Sequence, residues 1–297
     1  MELCLGTVQL GMDYGIAGSK QPDLADAIKT LECAIETGIY AFDTAEVYGA
    51  AEYVLGEFIS QNRDKGKKLQ VFDKMDSRIF DQNNPELWKK EIEIHLDRTL
   101  QKLRLDHIHT YMFHNAKRVY NEILLEVLSE IKKTGKVINT GISVYETKEA
   151  TAGIANDYVD YLQIPFSILD QRMKNEGVLE QKKNLTIAAR SVFTQGLLFL
   201  EDCRIPVPLY GIKTYLTRLR NISHQWGYTL YELAVGYVKA QSSIDYLIFG
   251  VDNPKQIRDM VCAFENTNLP LQLLNELDLY FALIDKKLVV PTYWQER

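Results

Sequence analysis

Cysteine is scarce and scattered in this 297-residue chain. Cys4, Cys33, Cys203 and Cys262 lie far apart with no CxxC pair. That excludes a zinc knuckle and a dithiol redox motif, and leaves buried reduced thiols as the expected state. No apolar run approaches the roughly 18 residues of a membrane helix. The first residues, with Glu2 and Asp13, lack the basic and apolar regions of a secretion signal. No membrane association and a cytoplasmic location are therefore expected. Basic residues are not in excess: 34 against 40 acidic ones leave a formal charge of −6. This balance argues against a surface devoted to nucleic acid or anionic lipid, while allowing a local basic pocket. No Gly/Ser-rich or Pro-rich linker, low-complexity tract or charge block divides residues 1–297, which read as a single domain. The phosphate-binding patterns GxGxxG and GxxxxGK[ST] are both absent, and no metal-ligand cluster stands out.

What is present is an alternation. Short apolar or β-branched runs occur at 3–5, 40–42, 69–72, 107–113, 137–142, 158–164, 185–189 and 246–249, with longer stretches of helical spacing between them. Residues 23–37 place Leu24, Ala27, Ile28, Leu31, Ala34 and Ile35 on one face, with Gly38 as the stop. Residues 86–103 follow Pro85, and 119–133 end before Gly135 with Lys132 and Lys133 in the last turn. Eight buried strands alternating with helices predict an α/β fold, a closed (β/α)8 TIM barrel. An open doubly wound sheet is the competing arrangement, disfavoured by the missing nucleotide loop.

In such a barrel the active site lies at the C-terminal ends of the strands. Polar residues stand at those ends: Asp43 after 40–42, Lys74 past Phe72, His114 after 111–113, Ser143 after 138–142, and Gln163 near the end of the sixth run. Tyr48 follows Asp43 by five residues on the same loop. Taken singly, each of these has an ordinary structural explanation as a cap, a packed ring or a solvated amine. Together, a carboxylate, an ammonium, a phenol and an imidazole at one mouth make a proton-donor apparatus.

The segment Phe42-Asp43-Thr44-Ala45-Glu46-Val47-Tyr48-Gly49, followed by Lys74 and His114, resembles the signature of the aldo-keto reductase superfamily. Similar echoes run from Leu5-Gly6-Thr7 at the first strand to residues 250–256 after the eighth. The resemblance implies a nicotinamide cofactor bound across the barrel mouth and a small carbonyl substrate. It implies Tyr48 as the general acid, Lys74 lowering the phenol's pKa, Asp43 pairing with Lys74, and His114 holding the carbonyl oxygen. On the cofactor side it implies Gly6 and Thr7, Ser143 and Gln163 for the carboxamide, and Arg190 in place of an aromatic ring against the nicotinamide. Ser191, Phe193, Gln195, Gly196 and Leu197 would follow the pyrophosphate, and Gly250, Asp252, Asn253 and Gln256 the adenosine end.

NADP, bound as NADPH, is the expected cofactor, with NAD also possible because Asp252 is unfavourable to a 2′-phosphate while Lys255 and Arg258 lie nearby in sequence. Met260 stands where a helix asparagine is common in relatives, and Asp73 adds a second carboxylate beside Lys74 that strand alternation turns away. Tyr14, Met75, Phe113, Phe166, Tyr293 and Trp294 are candidates for the substrate pocket. The opening residues 5–17 resemble a bacterial branch associated with surface-sugar pathways, which makes a sugar-derived carbonyl one candidate substrate. The leading expectation is reduction of an aldehyde or ketone to an alcohol. A cofactor-binding redox sensor on the same barrel is the alternative, and a non-redox isomerase or lyase the third reading. Oligomeric state is not legible.

Overall fold

The computed structural model describes residues 1–62, 69–80 and 84–294. Eight strands, β1 (Glu2–Gly6), β2 (Ala41–Asp43), β3 (Gln70–Met75), β4 (Ile108–Phe113), β5 (Val137–Ser143), β6 (Tyr161–Pro165), β7 (Thr186–Arg190) and β8 (Tyr246–Gly250), pair in parallel and close in chain order into a barrel. β1 closes it, with Gly6 level with Asp43 on one side and Gly250 on the other. The barrel expectation is met, and the open sheet is excluded.

The surrounding helices follow the anticipated chemistry. Helix Leu24–Glu36 starts at Asp23, whose carboxylate accepts from the Asp26 N–H at 2.8 Å. It ends before Gly38, at φ +87°. The third anticipated helix begins later than its apolar pattern: residues 116–120 form a 3-10 turn, and Asn121 caps helix Glu122–Lys133 by accepting from the Leu124 N–H. β3 runs further than the apolar signal, so Lys74 lies inside the strand. β6 starts at Tyr161 rather than 158; Asp160 just before it bonds Thr140 and Thr186 through its backbone, and its carboxylate also accepts from the Thr140 N–H. The four cysteines are free, but only Cys4 and Cys33 are buried. Cys203 and Cys262 are exposed, on a surface turn and on the outer side of helix Pro254–Asn266.

Two-residue periodicity sorts each strand into an inner and an outer face. Cys4, Ala41, Phe72, Met112, Tyr161, Ala188 and Ile248 form a cluster of their own within the barrel, apart from the larger strand–helix core. Two residues further along the same faces come Gly6, Asp43, Lys74, His114, Gln163, Arg190 and Gly250. An apolar layer thus forms the floor on which a polar layer is mounted. Asp73 belongs to the outer face, as alternation requires. It is buried, and one oxygen accepts from the Lys74 N–H at 2.6 Å while the other has no partner. Burial, with Glu52 and Glu46 adding to it, pushes its carboxyl well above the ordinary range.

Candidate active site

The innermost unit is a buried ion pair. Lys74 Nζ meets Asp43 Oδ1 at 2.7 Å, the two side chains being 1% and 6% exposed. Lys74 also donates to the Thr44 carbonyl at 2.7 Å, and Gln163 Nε2 donates to the same Asp43 oxygen at 2.7 Å. Ser143 Oγ in turn donates to Gln163 Oε1 at 3.4 Å. The Thr7 hydroxyl and N–H both bond the Asp43 carbonyl, fixing the end of β2 against β1.

Tyr48 is carried over this pair by a turn that backbone contact holds in place. A Cβ at Gly11 would lie 2.0 Å from the Tyr48 carbonyl, and one at Gly49 (φ +57°) would lie 2.3 Å from the Gly11 carbonyl. Only glycines permit the close approach. From the other side Glu46 clamps the same loop, accepting from Tyr111 Oη at 2.7 Å and meeting His95 Nδ1 at 2.6 Å. The Tyr48 ring then faces Lys74 Nζ at 5.0 Å and sits edge-on to His114, centroids 5.8 Å apart. Burial pushes the phenol well above its ordinary value; Asp43 adds to the rise and Arg190 opposes it. This departs from the expectation that Lys74 lowers the phenol. Desolvation outweighs whatever lowering the ammonium supplies.

His114, just past β4, is held down to about 3, first by burial and then by the nearby cations Lys74 and Arg190, so its imidazole is neutral at physiological pH. Arg190 ends β7. Its guanidinium stacks on Tyr145 at 4.3 Å and donates to the Val144 carbonyl at 2.8 Å and to Ser191 Oγ at 3.2 Å.

A cavity of about 650 Å³ opens over these groups, within the roughly 300–1,000 Å³ usual for small-molecule sites. Its walls include Gly6, Asp43, Tyr48, His114, Ser143, Gln163, Arg190, Ser191, Phe193, Gln195, Gly196, Gly250, Asp252 and Gln256. Four sequence candidates lie outside the lining. Lys74 sits beneath Tyr48, Thr7 is spent on Asp43, Leu197 is buried in the core, and Asn253 caps helix Pro254–Asn266 by accepting from the Gln256 N–H. Of the substrate-pocket candidates, Tyr14 lines the cavity. Met75, Phe113 and Phe166 are buried elsewhere, Phe166 stacked on Tyr237, and Tyr293 bonds Glu146.

Sequence reasoning missed Gln9, Glu46 and Tyr145. Gln9 lines the cavity, yet its buried Oε1 has no partner, and a Cβ at Gly250 would fall 2.1 Å from that oxygen. Ser191, Thr194, Gln195 and Gly196 all have positive φ, so the loop after β7 turns sharply along the cavity edge. An orphaned acceptor, a glycine that keeps space open and a folded-back loop suit an elongated polar ligand, and a nicotinamide dinucleotide fits that description.

Fold and site together define a (β/α)8 barrel with a proton-donor group at the C-terminal mouth of its strands. Residues 2–279 match the model of the Aldo/keto reductase family, and the chain belongs to that family: it is an oxidoreductase of carbonyl compounds. It is 26% identical over 299 residues to the NADH-specific methylglyoxal reductase of Escherichia coli (strain K12), covering 89% of this chain and 90% of that one. It is 23% identical over 321 residues to pyridoxal 4-dehydrogenase of Microbacterium luteolum, with 89% and 90% covered. Among solved structures, the holo form of the aldo-keto reductase AKR11C1 from Bacillus halodurans superposes with a TM-score of 0.79 at 23% identity, covering 97% of this chain and 94% of that one. Among the described residues no helix is long and apolar enough to cross a membrane, and no cluster suits a metal ion.

Proposed function

We propose that the chain, as one domain over residues 1–297, reduces a small aldehyde or ketone to an alcohol in the cytoplasm, with Tyr48 as the acid. The observation that carries this reading is the convergence of Tyr48, His114 and the Lys74–Asp43 pair at one end of the cavity. The nicotinamide, when bound, supplies the hydride; Ser143, Gln163, Gln9 and the 191–196 loop are the residues that would hold the dinucleotide. The protein's own contribution is proton control. The neutral His114 imidazole donates a hydrogen bond to the carbonyl oxygen, and the Tyr48 hydroxyl, kept protonated by burial, delivers the proton as negative charge develops there. Lys74 and Asp43 fix the phenol from below and keep a compensated charge beside it. Consumption of NADH or NADPH followed at 340 nm with a panel of small aldehydes and keto-sugars tests the assignment. Turnover without nicotinamide would replace it with a non-redox reaction, and cofactor binding with no turnover across the panel would favour the sensor.

The surroundings of Asp252 support NADH over NADPH as the working cofactor. The two cations near Asp252 in sequence are engaged elsewhere: Lys255 pairs with Asp259 at 2.6 Å, and Arg258 contacts Cys33 Sγ at 3.2 Å. Asp252 and Asp259 themselves line the cavity, and Met260 is buried. The Asp252 carboxylate, which among the described residues has no cation paired with it, repels a 2′-phosphate dianion. The expected result is a kcat/KM for NADH about tenfold or more above that for NADPH, with Asp252→Ser narrowing the gap. NADPH preference that disappears in Arg204→Ala would show instead that Arg204, on the cavity wall, captures the phosphate.

His114 also links the site to stability. The imidazole titrates at about 3 in the fold, against about 6.5 in an unfolded chain, so between these values the unfolded state binds more protons. Its contribution to stability is fully present above about pH 6.5 and is lost as pH falls toward 3. Wild-type protein is expected to lose Tm more steeply between pH 7 and 4 than His114→Asn; equal slopes would contradict the buried neutral imidazole.

A further inference from the structure

Among the described residues, Arg190 is a cation at the catalytic end of the cavity with no acidic partner. Lys74 is matched by Asp43, and the His114 ring is neutral. Arg190 bonds only a carbonyl and a hydroxyl, and among the described residues no carboxylate pairs with it. Its charge acts on Tyr14, Tyr48 and His114, the groups that surround the reacting position. The carboxylates acting on these groups are Asp43, paired with Lys74, and Asp76, paired with Arg78, while Asp252 and Asp259 belong to the region after β8.

A guanidinium has five N–H donors. One goes to Ser191 Oγ and one to the Val144 carbonyl, which leaves three. Stacking on Tyr145 holds the plane in a fixed orientation, so the ordering cost of binding is largely met in advance. A partly buried, oriented, uncompensated guanidinium is suited to a carboxylate or phosphate, either of which accepts from it through two oxygens.

We propose that Arg190 determines substrate class by taking an anionic group, carboxylate or phosphate, on the carbonyl compound, so that anionic aldehydes and ketones are preferred over neutral ones. This rests on the reductase reading above. The anion occupies the free edge of the guanidinium while the carbonyl oxygen lies between Tyr48 and His114.

Matched pairs that differ by one charge test it: pyruvate and its methyl ester, 4-oxobutanoate and its methyl ester, and glyceraldehyde 3-phosphate and glyceraldehyde, each with saturating NADH. In the wild-type enzyme the anionic member of at least one pair is expected to have a kcat/KM about tenfold or more above its neutral partner. The pair that responds shows whether carboxylate or phosphate is meant. Arg190→Met is expected to bring that ratio close to one, and Arg190→Lys to keep part of it. Because both members of a pair use the same cofactor, the ratio is unaffected by any change in cofactor affinity. Preference for the neutral member in every pair overturns the proposal. So does a ratio unchanged in Arg190→Met while the Kd for NADH rises, which would assign the cation to the dinucleotide phosphates. Absence of turnover with every compound and with both NADH and NADPH overturns the reductase reading, and this inference with it.

Discussion

Tyr48→Phe is expected to lower kcat by about 10²–10⁴-fold, the usual contribution of a positioned general acid. The substitution removes one oxygen and leaves the ring, so the turn built on Gly11 and Gly49 is retained and the edge contact with His114 survives. The loss should fall on kcat and on kcat/KM alike, because the hydroxyl acts on charge that develops only in the transition state. NADH affinity, measured by quenching of tryptophan fluorescence, should stay close to that of wild type. The wild-type pH profile sharpens the test. With the phenol pushed above its ordinary value and His114 held at about 3, neither group titrates between pH 5 and 9. Activity is therefore expected to be flat across that range. A break near pH 6.5 that disappears in His114→Asn would mean that the imidazole charges in the working enzyme, and undiminished kcat in Tyr48→Phe would move the proton donor elsewhere.

The barrel was legible because parallel strands covered on both faces read as short apolar runs, and each such run appeared in the fold as a strand. Boundaries failed where tertiary contacts outrank the local pattern. Asp73 and Lys74 break the apolar run that marks β3, yet the strand continues through them because Lys74 finds Asp43 and Asp73 is folded under the outer layer. The polar layer at the mouth was legible for a related reason: each of its members stands two residues beyond an interior apolar position. Thr7, Leu197 and Asn253 show the limit of that rule. They adjoin cavity residues in sequence, but bond backbone, fill the core or cap a helix. Glu46 and Tyr145 act through partners distant in sequence, and Gln9 stands out only as an unpartnered acceptor against Gly250, so no local signal marks them. The direction in which the phenol shifts was also hidden, since it depends on how deeply the ring is buried and how near it lies to Asp43, and both are products of the closed barrel.

The pairing of Lys74 with Asp43 sets the second large effect. Lys74→Met is expected to destabilise the protein by about 3–5 kcal/mol, because it strands a carboxylate that is almost wholly enclosed. At about 2–4 °C per kcal/mol for a chain of this size, Tm should fall by on the order of 10 °C. Gln163 Nε2 remains as a donor to Asp43, but a neutral amide does not replace the ammonium that also bonded the Thr44 carbonyl. The stranded charge, rather than lost packing, is the cause: methionine fills much of the same volume with no polar head. Adding Asp43→Asn should therefore recover part of the lost stability, since the amide needs no counter-charge, and the double variant should be more stable than Lys74→Met alone. Activity should stay low in both, because the base on which Tyr48 rests has lost its cation. If Lys74→Met keeps its Tm, or if Asp43→Asn costs further stability in that background, the pair is not what holds the mouth of the barrel together, and the rigidity of Tyr48 must come from the Glu46 clamp to Tyr111 and His95 instead.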